Sequence, residues 1–437
     1  MAPEIEVFPP ALNSERNKLS QSDRAFHDWY RFVLSYPPHL VREYLEEFRV
    51  KENNLVLDPF CGTGTTVVEA KIRGFESVGL EANRFAHFAG SVKSDWKVDP
   101  KALREQAAII KESVLSKLAR HGISDQPKEH LYVPKKLRTL NDDQTRILLK
   151  DSISPLPLHK ALVLRDEINT FRNTTLGKYF NIALAKSLVF HISNLRFGPE
   201  VGIGKIKEDS VVVEAWFREI SKIADDIESV NTAEFPSAKV VLSDSRSPFN
   251  FLDGRKFTAV ITSPPYPNEK DYTRTTRLES VILGFVSNRQ DLREMKKTLL
   301  RSNTRGVYKN DEDDKYVNNI PEIQQIAKKI EERRVELGKT SGFERMYARV
   351  TKLYFGGMAT HLEQLKESLA PGAQLAYVVG DQASYLRVMI RTGNILAKVA
   401  ESVGYEVVRI DQFRTRFSTA TQTDLNEEVL ILRYRGK

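Results

Sequence analysis

The stretch DPFCGTGTT, from Asp58 to Thr66, is the most informative part of this sequence. It follows the apolar run LVL and leads into a helical pattern that closes on Gly74, so it predicts a strand, a glycine turn and a helix. Because glycine has no Cβ atom, Gly62 and Gly64 allow the backbone to turn sharply and to approach a ligand closely. The first N–H groups of the following helix then point at that ligand. The stretch therefore predicts a cradle for a nucleotide-like cofactor.

A second motif, TSPPY at residues 262–266, also follows an apolar run. The Ser263 hydroxyl and the Pro264 carbonyl can accept hydrogen bonds, while Pro264 and Pro265 stiffen the backbone and leave few competing donors. Tyr266 offers a flat ring on which a nucleobase can stack. Such acceptors suit the amino group of a base, whose nitrogen must gain sp³ character before it attacks an electrophile. A rigid turn with a core tyrosine is the other interpretation, but the position after a strand and downstream of a cofactor loop favours a site.

Seven short apolar runs have the composition of strands that are buried on both faces. Helical patterns at 65–73, 356–370 and 393–404 separate several of these runs. Strands that alternate with helices predict an α/β fold with a doubly wound, mostly parallel sheet. The predicted strands are LVLDPF (55–60), SVGLE (77–81), KVVLSD (239–244), TAVITS (258–263), QLAYVVGD (374–381), YEVVRID (405–411) and EEVLILRY (427–434).

Two long segments, 97–237 and 267–355, interrupt this alternation and are rich in helix formers and charge. They predict mostly helical insertions in the α/β core, and the polar segment 303–320 within the second predicts a mobile loop. The predicted boundaries are 1–24 for an N-terminal arm, 25–96, 238–266 and 356–437 for the three parts of the core, and 97–237 and 267–355 for the insertions.

The composition narrows the class of protein. A net charge of +8 over 437 residues favours a polyanionic partner, although many cytosolic proteins are equally basic. Cys61 is the single cysteine, which excludes an internal disulfide and a cysteine-based zinc cluster and suits a reducing cytoplasm; we predict no metal. No apolar run reaches the roughly 18 residues of a membrane helix, and the N-terminus lacks the basic start of a signal peptide. We therefore predict a cytoplasmic protein without membrane contact.

Three further residues are candidates for contacting the cofactor. Glu81 ends the strand after the glycine turn. An acid there either binds two ribose hydroxyls or interacts favourably with the dipole at the N-terminus of the next helix. Asp244 ends the third strand, where its carboxylate either accepts a hydrogen bond from an adenine amino group or caps a turn. Phe60 either packs against the cofactor or fills the core below it.

Two enzyme classes that bind nucleotide-like cofactors fit these motifs poorly. A nicotinamide-dependent oxidoreductase is disfavoured, because CGTGTTVV lacks the G-x-G-x-x-G pattern and TSPPY has no role in hydride transfer. A cytosine-C5 enzyme needs a cysteine nucleophile beside the base. The only cysteine, Cys61, lies in the glycine turn instead.

Together the motifs resemble those of the DNA amino-methyltransferases, which form N4-methylcytosine or N6-methyladenine. DPFCGTGTT is similar to the family's first motif and TSPPY to its catalytic motif. Serine at the first catalytic position is typical of the N4-cytosine branch, and PNEKDYTRTTRLESVILGF after it is also similar to that branch. The segment HDWYRFVLSYPPHLV, residues 27–41, resembles the one that lines the methionine end of S-adenosylmethionine (SAM).

The resemblance implies a class I, Rossmann-like methyltransferase fold with seven strands, the last of them antiparallel. It implies SAM as the cofactor and double-stranded DNA as the partner, with the target base flipped out of the duplex. The larger insertion becomes a candidate for target recognition and the smaller one a candidate DNA clamp. A cognate restriction endonuclease or defence-system proteins are further implied partners.

Methylation of the cytosine N4 amino group in a specific DNA sequence is the function that the resemblance favours. N6-adenine methylation of DNA, amino-methylation of RNA and SAM-dependent nucleic-acid binding without catalysis stay open as alternatives. The implied catalytic residues are Ser263, Pro264, Pro265 and Tyr266. The implied cofactor-binding residues are Trp29, Tyr30, Pro38, Asp58, Pro59, Phe60, Gly62, Gly64, Thr65, Thr66, Glu81 and Asp244.

Overall fold

An eight-stranded sheet forms the centre of the computed structural model, which describes residues 7–8, 19–32, 35–198, 200–247, 254–418 and 422–436. The strands of this part of the chain, including a separate two-stranded hairpin, are β1 (Val7–Phe8), β2 (Leu55–Asp58), β3 (Glu76–Glu81), β4 (Leu195–Phe197), β5 (Val201–Ile203), β6 (Ala238–Leu242), β7 (Phe257–Thr262), β8 (Leu369–Gly380), β9 (Glu406–Ser418) and β10 (Thr423–Arg433).

The helices lie between these strands. They are α1 (Pro38–Glu47), α2 (Thr65–Ile72), α3 (Arg84–Ser94), α4 (Pro100–Arg120), α5 (Asp142–Ile147), α6 (Pro155–Ile168), α7 (Gly177–Ser187), α8 (Val213–Glu228), α9 (Tyr272–Thr275), α10 (Arg277–Ile282), α11 (Arg289–Lys297), α12 (Pro321–Glu336), α13 (Tyr347–Leu365) and α14 (Thr392–Ser402). Within the described ranges, none of them is both long enough and apolar enough to cross a membrane.

The strand order is β1-β9-β10-β8-β7-β2-β3-β6. The strands from β8 to β6 pair in parallel, whereas β10 is antiparallel to both of its neighbours. Seven of the eight strands coincide with the seven predicted runs, so the doubly wound, mostly parallel sheet is confirmed. The eighth strand, β1, lies in the predicted N-terminal arm and pairs with β9. Most of that arm, residues 1–6 and 9–18, lies outside the described residues.

Both faces of the sheet are covered by helices, as the alternation of side chains along β2 illustrates. Leu55 and Leu57 belong to the hydrophobic cluster that α13 and α14 form on one face. Val56, between them, belongs to the cluster that α1 forms on the opposite face. Successive side chains of a strand point to opposite faces, so a run of three apolar residues needs apolar cover on both sides.

The segment between β3 and β6 packs onto the sheet domain through a third hydrophobic cluster. Helices α4, α6, α7 and α8 share this cluster with α3 and with the aromatic residues that precede α1. Trp216 of α8 is fully buried and donates a hydrogen bond of 3.0 Å to the carbonyl oxygen of Phe180 in α7. The β4–β5 hairpin projects from this helical body between α7 and α8.

The acidic segment within residues 303–320 is anchored, contrary to the mobile loop that its polarity predicts. Asp313 accepts a hydrogen bond of 2.7 Å from Arg246, and Asp311 accepts one of 2.9 Å from Arg301. A Cβ atom on Gly356 of α13 would lie 1.9 Å from the Asp313 carbonyl oxygen, so the segment packs directly on the helix backbone. Helix α13 also begins at Tyr347, earlier than the predicted start, because its apolar face continues through that turn.

Candidate active site

A cavity of about 380 Å³ opens at the carboxyl ends of the central strands. It is lined by the residues that follow β2, β3, β6 and β7 and by Val378 and Gln382 at the end of β8. Strands β2 and β7 lie side by side, with Val56 paired to Ala259. From β2 the following strands, β3 and β6, are added on one side, whereas β8 follows β7 on the other side. Doubly wound sheets bind their ligands at such a reversal of strand order. The glycine turn and TSPPY, far apart in sequence, thus line one cavity.

Asp58 joins the elements on either side of this cavity. Its carboxylate is fully buried and accepts hydrogen bonds from Thr262 at 2.6 Å, Tyr36 at 3.0 Å and the Phe60 backbone at 3.1 Å. Burial raises the pKa of Asp58 to about 6, and these hydrogen bonds oppose the rise. Thr66, which contacts the Tyr36 hydroxyl, adds a bond of 3.0 Å to the Ile261 carbonyl oxygen. Asp58 and Thr66 therefore lie behind the cavity wall, where they hold the two motifs together.

The glycine turn needs glycine at two positions. Gly62 and Gly64 have φ angles of +52° and +89°, in the region that side chains with a Cβ atom avoid. A Cβ atom on Gly64 would also lie 3.2 Å from the Cα atom of Gly90 in α3. Gly64 thus permits close packing beneath the turn, while Gly62 lines the cavity with its neighbours Pro59, Phe60 and Thr65.

Glu81 lies at the end of β3 and faces the cavity. Its two carboxylate oxygens accept backbone hydrogen bonds from Gly62 at 2.8 Å and from Asn83 at 2.6 Å. Burial raises the pKa of Glu81 to about 7, although both backbone bonds lower it. A carboxylate in this position can accept further hydrogen bonds from hydroxyl groups of a ligand.

The tetrad of Ser263 to Tyr266, directly after β7, also lines the cavity. The Ser263 hydroxyl donates a hydrogen bond of 3.1 Å to the Val378 carbonyl oxygen of the neighbouring strand, so its lone pairs remain as acceptors. The Tyr266 backbone N–H donates to the Tyr272 hydroxyl at 3.0 Å. A Cβ atom on Gly380 would approach the Tyr266 ring to 3.0 Å, so the ring packs closely against Gly380.

Several lining residues were not predicted from the sequence. Asn268, two residues beyond the tetrad, donates a bond of 3.2 Å to Gln382, and Arg414 of β9 forms an ion pair of 2.8 Å with Glu427 of β10. Of these residues, Asn268 has a signal in the sequence, because polar residues that follow the end of a strand are candidates for a site. The contacts from β8, β9 and β10 depend on strand order, which no local pattern encodes.

Seven predicted cofactor residues lie outside the lining of the cavity. Three of them, Asp58, Gly64 and Thr66, belong to the stretch that carries the glycine turn, and the other four lie elsewhere in the chain. Trp29 is buried and donates a bond of 2.8 Å to Asp226 of α8, Tyr30 is buried against Glu279 of α10, and Pro38 is buried at the start of α1. The same segment reaches the cavity through Phe32, Ser35 and Tyr36 instead. Asp244 is the fourth such residue: both its carboxylate oxygens are held by Arg246, at 3.0 and 2.7 Å, and its neighbours Ser243 and Ser245 line the cavity.

Cys61 lines the cavity but is not placed for nucleophilic chemistry. It is 4% exposed, and burial raises the pKa of its thiol. Its sulfur packs so closely on β3 that a Cβ atom on Gly79 would lie 2.3 Å away. Among the described residues, no group of three or more His, Cys, Asp or Glu side chains is arranged to hold a metal ion.

Comparison with known proteins adds independent observations. A family model of DNA methylases, covering N6 and N4 methyltransferases, matches residues 7–89. The chain is 26% identical to the type II methyltransferase M.BsoBI of Geobacillus stearothermophilus, over 96% of this chain and 86% of that protein. It is 29% identical to the type II methyltransferase M.AvaI of Nostoc sp., over 87% of this chain and 79% of that protein. A tRNA (guanine(10)-N2)-dimethyltransferase of Methanocaldococcus jannaschii is 46% identical over 44 residues, only 10% of this chain.

The sheet order, with the antiparallel strand β10 between β9 and β8, and the cavity at the strand ends are those of a class I, Rossmann-like methyltransferase fold. The DNA methylase match and the relatives that extend over most of both chains support the family of DNA amino-methyltransferases.

Proposed function

We propose that the protein transfers a methyl group from SAM to the exocyclic N4 amino group of cytosine in a specific sequence of double-stranded DNA. The observation that carries the proposal is the shared cavity of the glycine turn and TSPPY, with serine as the first residue of the tetrad. The serine matters because it is typical of the cytosine branch in the resemblance drawn from the sequence. A base enters the cavity flipped out of its duplex.

The lining residues fit SAM, which supplies a methyl group activated by a positively charged sulfur. The Glu81 carboxylate can accept hydrogen bonds from the ribose hydroxyls, and the Phe60 ring offers an apolar surface beside the glycine turn. We assign the adenine contact to Ser243 and Ser245 rather than to Asp244, whose carboxylate is engaged by Arg246.

The methionine end of SAM fits the other side of the turn. Phe32, Ser35 and Tyr36 line the cavity there, in place of the predicted Trp29 and Tyr30. Asp58, Gly64 and Thr66 support this wall from behind, and Pro59, Gly62 and Thr65 form its surface.

Ser263 and Pro264 activate and orient the amino group. With its own proton directed at Val378, the Ser263 hydroxyl can accept one amino hydrogen while the Pro264 carbonyl oxygen accepts the other. These bonds withdraw the nitrogen lone pair from conjugation and aim it at the methyl group, so positioning supplies much of the rate. Tyr266 holds the base by stacking, and Pro265 keeps the backbone rigid. A strong general base is unnecessary, because the methylated nitrogen loses its proton readily.

The names of the two long relatives support a place in a restriction-modification system, with a cognate endonuclease or other defence proteins as functional partners in the cytoplasm. N6-adenine methylation is the second candidate, because the matching family model includes both N6 and N4 enzymes.

The test is nucleoside mass spectrometry of DNA from a host without its own DNA methyltransferases. Cells that express the protein should contain N4-methyldeoxycytidine, and cells that express Ser263→Ala at the same level should contain little of it. N6-methyldeoxyadenosine alone would establish the second candidate. Methylated nucleosides found only in RNA, or SAM binding without any methylated nucleoside, would refute the proposal.

A further inference from the structure

Four cations surround the mouth of the active-site cavity without an acidic partner. Lys270 follows the catalytic tetrad, Arg274 lies on α9, Arg305 lies in the short turn Thr304–Gly306, and Arg416 lies on β9. None of the four forms an ion pair with another described residue. We call these four residues the basic rim.

The members of the basic rim converge because two cavities meet beside the tetrad. Lys270 and Arg416 line the main cavity, and Lys270 also lines a smaller neighbouring pocket together with Arg274 and Arg305. The β4–β5 hairpin closes the far side of the smaller pocket with Phe197 and Val201. The rim is therefore assembled from the 267–355 insertion, which supplies three of its cations, and from β9, which supplies Arg416.

The acids at the mouth do not neutralise the rim. Asp271 forms an ion pair of 2.7 Å with Lys296, and Glu427 is engaged by Arg414. Glu269 accepts a bond of 3.0 Å from Thr304, and burial raises its pKa. Glu200, an exposed acid of the β4–β5 loop, is the remaining carboxylate beside the pocket.

Positive charge is thus left in excess at one place. Burial, and then the charge of Arg416, lower the pKa of Lys270, whereas the nearby acids Glu427 and Glu200 oppose this change. Elsewhere, partly buried arginines such as Arg246, Arg301 and Arg409 are paired with aspartate. Uncompensated cations around a cavity mouth attract a polyanion.

We propose that the basic rim binds successive phosphates of the DNA strand whose base enters the cavity. This inference rests on the proposed function, since it names the surface that delivers the substrate to that site. Phosphate contacts set the register of a protein on DNA without reading its sequence. Because Lys270 lies four residues after Tyr266 and lines the same cavity, bound phosphates would hold one nucleotide opposite Tyr266. The rim also assigns DNA contacts to the 267–355 insertion, in agreement with its interpretation as a candidate DNA clamp.

The salt dependence of DNA binding tests the rim. Fluorescence anisotropy would follow a labelled mixed-sequence duplex of about 30 base pairs with the full chain, between about 0.05 and 0.3 M NaCl. Each of Arg274→Gln, Arg305→Gln and Arg416→Gln should reduce the steepness of log K against log salt by about 0.9. Arg305→Lys should retain the slope, because it keeps the charge. Lys51→Gln is the matched control. Lys51 is exposed and precedes the amino end of β2, whereas the cavity lies at the carboxyl ends of the strands.

The outcomes separate the rim from the proposed function. If the wild-type protein methylates DNA and the slopes of all three glutamine variants equal the wild-type slope, the basic rim is overturned and the proposed function stands. Reduced slopes in a protein that methylates no nucleic acid would support the rim and refute the proposed function. Slopes reduced only for single-stranded RNA of the same length would also overturn the rim as a DNA surface.

Discussion

Thr262 donates a hydrogen bond of 2.6 Å to the carboxylate of Asp58, and both side chains are fully buried. The two residues end the neighbouring strands β7 and β2, directly before the catalytic tetrad and within the start of the glycine turn. Water cannot compete with a bond in this position, so it fixes the two motifs relative to each other.

Thr262→Val should therefore destabilise the protein and reduce its activity. The substitution preserves shape but leaves a buried carboxylate short of one donor, at a cost of about 1–3 kcal/mol. Thermal denaturation without ligand would measure the loss. Thr262→Ser keeps the hydroxyl and should lose less; an equal loss in both variants would show that the hydrogen bond is not the cause.

Ser263→Ala should lower the rate of methyl transfer by roughly 10- to 100-fold, the effect of removing one hydrogen bond of about 1.5–3 kcal/mol to a group that becomes charged. SAM affinity should stay close to that of the wild type, because Ser263 belongs to the tetrad after β7 and not to the glycine turn proposed to hold SAM. Single-turnover kinetics and calorimetric titration separate the two quantities. Ser402→Ala, which alters a hydroxyl at the end of α14, is the control. An unaltered rate in Ser263→Ala would remove serine from the catalytic group.

Tyr266→Ala should weaken binding of the target base by roughly 1–3 kcal/mol, the range for aromatic stacking on a nucleobase. Tyr266→Phe should bind almost normally, because stacking needs the ring and not the hydroxyl. The KM for a duplex that contains the target sequence measures the effect. If phenylalanine and alanine were equally harmful, the hydroxyl rather than the ring face would be responsible.

Glu81→Gln should weaken SAM binding by about 10-fold or more, since a charged acceptor is lost. The wild type should also lose SAM affinity as the pH falls through about 7, because Glu81 has a pKa of about 7 and its carboxylate becomes protonated there. One pH unit below that value, roughly one tenth of the molecules would carry the charged form. Calorimetric titration over this range should give a sloping profile for the wild type and a flat one for Glu81→Gln. A flat wild-type profile would contradict the role of Glu81.

Local patterns identify most of the fold because the central strands, such as β2 and β7, are buried on both faces. The run LVLD in β2 contains no polar break before Asp58, and the structure places Leu57 and Val56 in clusters on opposite faces. The polar segment 303–320 misled the prediction for a complementary reason. Its acids have arginine partners that the sequence does not reveal. Arg246 is distant in the chain, and Arg301 is close but is one charged residue among many. Polarity predicts exposure only when such partners are absent.

The same limit applies to the candidate site. Pro59, Gly62, Glu81 and the tetrad line one cavity, because each lies at or after the carboxyl end of a strand and those ends share one edge; their roles remain predictions. Trp29 and Tyr30 lie in an irregular segment without such a constraint. Their hydrogen-bond partners, Asp226 and Glu279, come from helices far along the chain.

The amino-acid sequence by itself determined the type and order of the strands, the glycine turn and the chemistry of the tetrad, because period, backbone freedom and side-chain acceptors are local properties. Only the tertiary structure decided which side chains complete the cavity, that Arg246 engages Asp244, and that cations from four separate elements meet at its mouth. These relationships arise from packing between residues distant in the chain, whose free energy depends on contacts that exist only after the sheet and its helices have assembled.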